Sequence, residues 1–575
     1  MVCPLAAALN AENNQPETTR NHMPTESLSL KAFRKSLRMM GRNLLPWLFA
    51  VLVTSILGSL VQSTVNIVSV LQMGAYANWR DWQRTILHDL LSFAPFYGLL
   101  VGVAFLFAFP TALWLTRKWP GLRSILLGGS GAVGLAVAFV FANEMAAIPT
   151  LIAATRHVNG FIAMLATGVI GAWVFARTSG KPEFRAQKGF TWTHLAFPIV
   201  VLAAAFALHV SMRPERLRAI DDYPLENYRV AIVVKGLEYP WSMEQLPDGR
   251  RLVAERTGDI RIIDGEGALL KQPLGGVPEV VFGVQGGLLD MELSPHFEQD
   301  RTIFLSYACG SVEASNLCVG RGELKGDELQ NFHRIFQAEP LTDTTVQFGS
   351  RIVFLPDDTL VVSVGDGFDF REEAQDLSNH IGKLVRLHMD GSVPDDNPFV
   401  GQADKRPEIY SYGHRNPQGL YYDPDSGRLY ESEHGPYGGD EVNIIEPGVN
   451  YGWPLATEGI NYPGSYITPH DQLEGLRGPI NHWTPSIAPS GMTIYKGDGF
   501  PEFNGDLLVS GLAGRGVFRL NLEDGELVAD QRLFHELNRR VRDVIVGDEG
   551  ELYLLTDSAS GEIIRIDPTD DIGAD

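Results

Sequence analysis

Five apolar runs, at 44–73, 90–115, 122–146, 160–177 and 191–211, dominate the first part of the 575-residue chain. The last four are each near the ~20 residues that cross a bilayer as a helix, and the first is longer. In lipid every backbone N–H and C=O must be satisfied within the segment, so such a run is held to a helix. Five transmembrane helices are predicted over 44–212, behind a disordered basic cytoplasmic tail over 1–43. Lys31, Arg34, Lys35, Arg38 and Arg42 lead directly into a first run too long for a cleaved signal peptide, which makes it a signal anchor. Arg117, Lys118 and Arg123 lie between the second and third runs, and Arg177, Lys181, Arg185 and Lys188 between the fourth and fifth; the alternate loops hold only Arg80, Arg84 and Arg156. Basic loops stay inside, so the N-terminus is expected in the cytoplasm of a bacterial inner membrane. An odd number of crossings then places the remainder in the periplasm. Glu144 and His194 fall near helix ends, where interfacial residues are expected, and His194 and His209 share one run and so offer no facing pair for haem.

Past residue 222 the pattern changes to short strands rich in Gly, Pro and Asp. A turn cluster leads into a strand whose first apolar residue is, in turn, Leu252, Ile303, Leu360, Leu429, Leu507 and Leu552. Six copies at this spacing predict an all-β six-bladed propeller over 222–568, followed by an acidic tail over 569–575. A plain β-sandwich is the alternative, and it gives no reason for six copies. Equivalent positions of successive blades converge on one end of the channel. Glu255, Arg256, Gly365, Asp366, Glu433, His434, Gly511, Thr556 and Asp557, which follow these strands, are therefore expected around one pocket. The net charge of −22 argues against nucleic acid as a partner. Cys309 and Cys318 bracket a polar loop between two strand-like runs; they form a hairpin disulfide in an oxidising compartment, or else are two inert thiols.

Residues 411–453 carry the densest polar chemistry. Arg415 and Asn416 precede Pro417, which keeps the chain extended, and a guanidinium fork beside a carboxamide suits a flat anionic ligand. Gly435, Pro436, Gly438 and Gly439 bring bare backbone close, and Asp440, Glu441 and Asn443 complete an oxygen-rich set of the kind Ca²⁺ prefers. The motifs SYGHRNPQGL, SEHGPYGGDEVN and NYGWP resemble the signature of the glucose/sorbosone dehydrogenase family of quinoproteins, and the resemblance runs in order from about Tyr228 to Ile566.

The resemblance implies a sugar dehydrogenase in which pyrroloquinoline quinone lies on one face of the propeller, Ca²⁺ polarises it, and a histidine takes the proton of the sugar's anomeric hydroxyl. Arg415 and Asn416 match cofactor and substrate contacts, and Arg540 and Arg542 in RVRDV match a second cofactor-binding pair. Gly435 and Pro436 match carbonyl ligands of the cofactor's calcium, Glu441 and Tyr451 ligands of a structural calcium, and Gln285 in VQGGLLD a sugar-binding glutamine. Asp366 is a further substrate-side candidate.

Two departures stand out. Ala513 occupies the place of a cofactor-binding lysine that aldose sugar dehydrogenases also lack. Gln347, in QFGSR, occupies the place of the catalytic histidine, and a carboxamide cannot titrate near neutral pH. The expected protein is a membrane-anchored, periplasm-facing dehydrogenase acting on a sugar and passing electrons to an acceptor such as membrane ubiquinone. The alternative is a catalytically impaired propeller that binds carbohydrate or quinone.

Overall fold

The computed structural model describes residues 28–179 and 220–569, apart from 117, 147, 224, 226–227 and 524–525, and for 28–43, 221 and 526 the backbone alone. Among the described residues, four helices are long and apolar enough to cross a membrane: α1 (Leu28–Gln72), α2 (Trp79–Leu115), α3 (Arg123–Ala146) and α4 (Val158–Thr178). The run at 191–211 lies outside the described residues. The expected tail is corrected at its end: residues 28–43 continue α1, because Leu, Lys, Arg and Met are good helix formers and no proline intervenes before Pro46. α2 begins eleven residues ahead of its apolar run, where Asn78 and Asp81 form a reciprocal capping box.

The bundle is filled by large side chains, among them Phe93, Tyr97, Phe105, Phe109, Leu135 and Phe175. Small residues let the helices approach: a Cβ on Gly131 would fall 2.3 Å from the Gly168 carbonyl oxygen. The outer surface is also apolar, with Val133, Val137, Val140 and Phe141 of α3 about two-thirds exposed.

The second part is a six-bladed propeller. The leucines and isoleucine picked out by the repeat all fall in the second strand of a blade: Arg251–Glu255, Thr302–Ser311, Thr359–Val364, Arg428–Glu433, Leu507–Gly511 and Leu552–Thr556. All six are buried. The ring is closed by the two ends of the domain. Tyr228–Leu237 pairs antiparallel with Gly561–Pro568, so one blade holds the domain's first long strand and its last three.

The innermost strands meet at a hub. Arg351 donates through Nη1 to Asp290 and Asp543, both at 3.0 Å, and through Nε to the Gln418 carbonyl at 2.9 Å, with its guanidinium 4.2 Å from the Trp241 ring. These residues come from five blades, and the sixth supplies Gly491, where a Cβ would fall 1.7 Å from Asp543 Oδ1. Only glycine leaves room for this ion pair. Arg351→Met keeps much of the volume but strands two buried carboxylates, and is expected to destabilise by ~3–5 kcal/mol. Urea unfolding of the full chain measures this, and adding Asp543→Asn should recover part of the loss.

The propeller docks on one end of the bundle. Arg156 donates to Glu372 at 2.9 Å, Thr150 to Asp369 at 2.7 Å, and the Tyr466 N–H to Asp89 at 2.9 Å. Arg371 reaches Asn66 of α1 at 3.2 Å, and His88 of α2 stacks on Tyr466 with centroids 3.7 Å apart.

Candidate functional site

The propeller repeat builds the site. The second residue of each innermost strand is Trp241, Leu289, Ser350, Gln418, Ser490 and Arg542. Five of these line one pocket, together with Arg256, Gln285, Phe348 and Gly349, while Ser490 accepts from Arg542 at 3.1 Å. The pocket opens at the end where the second strands finish. The site-bearing loop that follows Thr359–Val364 supplies both Asp366 and the bundle contacts of Asp369, Arg371 and Glu372. The helices therefore sit against the functional end of the propeller.

The residues expected from the sequence are largely brought together here. Glu433 Oε2 accepts both the Arg415 and the Asn416 backbone N–H, fixing the turn into Pro417. Asn416 Oδ1 accepts from the Gly349 N–H at 3.1 Å, and its amide reaches His434 Nδ1 at 3.3 Å. Arg415 donates to the carbonyls of His434 (2.9 Å) and Gly435 (2.6 Å). The Gly435 carbonyl, expected to serve calcium, is thus engaged by a guanidinium. Gln285 and Gln347 also meet: Gln285 Oε1 accepts the Gln347 N–H at 2.7 Å, which leaves the Gln285 amide N–H groups free to donate. Gln347 is buried with no partner for its Oε1. Its φ of 56°, with 70° at Gly349 and 107° at Ser350, puts this segment in the left-handed region, a strain that recurs at functional sites.

Asp366 sits beside this segment. Its N–H donates to the Arg415 carbonyl at 2.8 Å, and its carboxylate accepts from Trp453 Nε1 at 2.9 Å and the Phe368 N–H at 2.8 Å. Burial pushes the carboxyl up to about 6, against the pull of Arg415. His434 is unlike it. Burial, reinforced by Arg415 and Arg542 and only partly opposed by the Pro489 carbonyl, pushes its imidazole down to about 3, so it stays neutral.

Arg540 and Arg542 converge on Asp557, at 2.8 Å and 3.4 Å. Burial alone would raise the Asp557 carboxyl, but the two arginines win and hold it at about 2. Arg542 is buried and also donates to Gln418 Oε1 at 2.9 Å, while its Nε has no partner; Arg540 is exposed at the mouth.

Behind Arg415 lies an acidic cluster. His414, Glu431 and Glu433 are buried with ligand-capable atoms within 4.8 Å of one another. Asn443 Nδ2 bridges Glu431 (3.0 Å) and Glu441 (3.4 Å), and Glu441 lies opposite Glu433 in the strand register. Burial and mutual repulsion hold the Glu431 and Glu441 carboxyls well above the usual range. Tyr451 stacks on His414, but its hydroxyl is already used by the Ile444 carbonyl and the Glu446 N–H, each at 2.8 Å.

Trp241, Gln418, Ser490, Arg351 and Trp453 were missed by sequence reasoning. Gln418 was within reach, since it lies two residues beyond Asn416, where a strand returns to the same face. The other inner-strand residues share only a register, with no common residue type.

The family described as Glucose / Sorbosone dehydrogenase matches residues 237–565. Aldose sugar dehydrogenase YliI of Escherichia coli is 41% identical over 345 residues, covering 59% of this chain and 92% of that protein. Quinoprotein glucose dehydrogenase B of Acinetobacter calcoaceticus is 27% identical over 460 residues, covering 62% and 93%. Among solved structures, the apo-form of the soluble E. coli aldose sugar dehydrogenase superposes with a TM-score of 0.58 at 39% identity, covering 59% of this chain and 99% of that one.

Proposed function

This chain belongs to the glucose / sorbosone dehydrogenase family, and from that premise we propose that its propeller oxidises an aldose, or a related polyol or lactol, with pyrroloquinoline quinone as cofactor. The observation that carries the reading is the pocket's unspent donor capacity. Arg256 Nε and Arg542 Nε are buried without partners around a floor that also holds Gln418 and Trp241. Buried polar atoms are rarely left unpaired, so the site fits a flat ligand bearing several carboxylates and carbonyls. Arg415, Asn416, Arg540 and Arg542 would hold it. When bound, the quinone supplies a two-electron acceptor.

The chain's own residues orient substrate and move its proton. Gln285 presents its amide to a sugar oxygen. Gln347 cannot accept a proton, and His434 is too weak a base. Asp366, held beside Gln347 by the Arg415 carbonyl and Trp453 Nε1, is the remaining carboxylate at the segment that carries the family's base, and we assign it the substrate hydroxyl proton; burial raises its carboxyl to about 6, which suits that role. Ca²⁺ fits the acidic cluster, where Glu431 Oε1 and Asn443 Oδ1 lack partners. There it would neutralise Glu431, Glu433 and Glu441 and stiffen the strand that holds Arg415.

The full-length protein, loaded with pyrroloquinoline quinone and Ca²⁺, is expected to reduce its cofactor on addition of aldoses. Cofactor that binds but stays oxidised with every aldose would favour the second reading, a binding propeller, for which Gln347 is the supporting observation. Arg542→Leu should weaken cofactor binding ~10-fold or more in a fluorescence titration, since a charged hydrogen bond contributes ~1.5–3 kcal/mol.

The same proposal sets the helices across a bilayer, with the propeller on the periplasmic side and electrons leaving to a membrane quinone. Tyr76, Thr150 and Arg156 touch the propeller from the bundle end opposite basic Lys118 and Arg123, an arrangement that agrees with the positive-inside rule. The Cys309–Cys318 disulfide suits an oxidising compartment.

A further inference from the structure

Large apolar side chains are exposed on the described propeller at ten positions, and five of these lie around the mouth of the pocket: Phe282 (47% exposed), Val284 (54%), Val312 (59%), Leu341 (43%) and Tyr462 (38%). They form one connected rim. Val284 precedes Gln285, whose N–H donates to the Thr345 carbonyl at 3.0 Å; Thr344 donates to the Gly367 carbonyl at 2.9 Å; and Ser315, after the Val312 hairpin, bridges to Thr342 beside Leu341. Phe368 then stacks on Tyr462. Four residues beyond Tyr462, Tyr466 is already held by Asp89 and His88 of α2. The rim is thus continuous with the surface that the helices cover, and it faces the same way.

A contiguous exposed apolar patch on a water-facing surface is uncommon without a partner. Here the partner is indicated by the neighbouring helices. Their outward faces are apolar, and the bundle end that meets the propeller turns polar through Asn66, Asp89, His88 and Arg156, which marks the level where hydrocarbon gives way to headgroups. Arg515 and Arg539 are exposed at the same end of the propeller, but Arg539 pairs with Glu562 at 3.3 Å and Glu313 and Asp343 are exposed beside the rim, so the apolar side chains and not net charge make the contact.

We propose that this rim is a second membrane-contacting surface, which seats the pocket mouth at the headgroup–acyl boundary of the bilayer. The inference rests on the helices spanning that bilayer. It gives the site two classes of access: sugar enters along the polar side, past Arg540, and a lipid-soluble electron acceptor reaches the mouth from the membrane without crossing water.

The test places an environment-sensitive fluorophore on single cysteines in a Cys3→Ser background of the full chain. The rim positions are Val284→Cys, Val312→Cys and Leu341→Cys, none of which belongs to the binding machinery. Phe141→Cys on α3 is the reference for hydrocarbon, and Val528→Cys, at the opposite end of the propeller, is the reference for water. The protein is reconstituted in phosphatidylcholine vesicles with and without brominated acyl chains. Rim probes seated ~5–10 Å into the boundary are expected to lose about half their emission, while Val528 keeps its own. Quenching at Phe141 but not at the rim overturns the inference and leaves the membrane-spanning reading standing. A rim covered by a second copy of the chain gives that same result. Quenching at neither overturns both, and equal quenching at the rim and Val528 overturns the rim's special role.

Discussion

Asp366→Asn is expected to lower sugar oxidation by ~10²–10⁴, the contribution of a positioned general base, while cofactor binding changes little. Asparagine keeps the size of the side chain and an acceptor for Trp453 Nε1 or the Phe368 N–H, so the fold around it should hold. The pH profile checks the assignment independently. Burial raises the Asp366 carboxyl to about 6, and only the ionised form accepts a proton, so the parent's rate should fall as pH drops through about 6. The variant should lose that limb. A variant that keeps both the rate and the limb would remove Asp366 from the reaction.

Gln347→His in that Asp366→Asn background is expected to return most of the loss, a gain on the order of 10²–10⁴, because it restores a titratable group to a segment still shaped for one. The shape is visible in the backbone. Residue 347 has φ 56°, and histidine is among the few side chains enriched in that region. Its N–H is pinned by Gln285, so the new imidazole would start from the position in which the Gln347 Oε1 now lies buried and unpartnered. Steady-state rates of the four combinations close the cycle. No gain in the Asp366→Asn background would mean that the segment no longer points at substrate.

The two parts of the molecule were legible to different degrees, for physical reasons. Apolar length alone located α3 and α4 to within two residues at each end. The starts of α1 and α2 escaped it because those turns are polar and their signals are propensity and a capping box, not hydropathy. The propeller could be read from Leu252, Ile303, Leu360, Leu429, Leu507 and Leu552 because a buried second strand demands the same residue class in every blade. The pocket floor makes no such demand: Trp241, Leu289, Ser350, Gln418, Ser490 and Arg542 share a position and no common residue type, so for Trp241, Leu289, Ser350 and Ser490 only pairing with the second strands reveals it. Motif resemblance supplied Arg415, Asn416 and Arg542, but not the engagement of the Gly435 carbonyl by Arg415. That contact joins side chain to backbone nineteen and twenty residues on, and no spacing rule encodes it.

The strand that closes the ring has a consequence for how the protein is made. Tyr228–Leu237 emerges from the ribosome long before Gly561–Pro568, the strand with which it pairs. Domains otherwise fold as they appear, N-terminal part first. This one cannot: the hub lacks Asp543 until the last blade begins to emerge, and the first strand's partner edge does not exist until Gly561–Pro568 has been synthesised. A chain truncated anywhere in its last blade is therefore an open ring tethered to finished helices, with an unpaired strand at each lip, and such edges invite pairing with other chains or degradation.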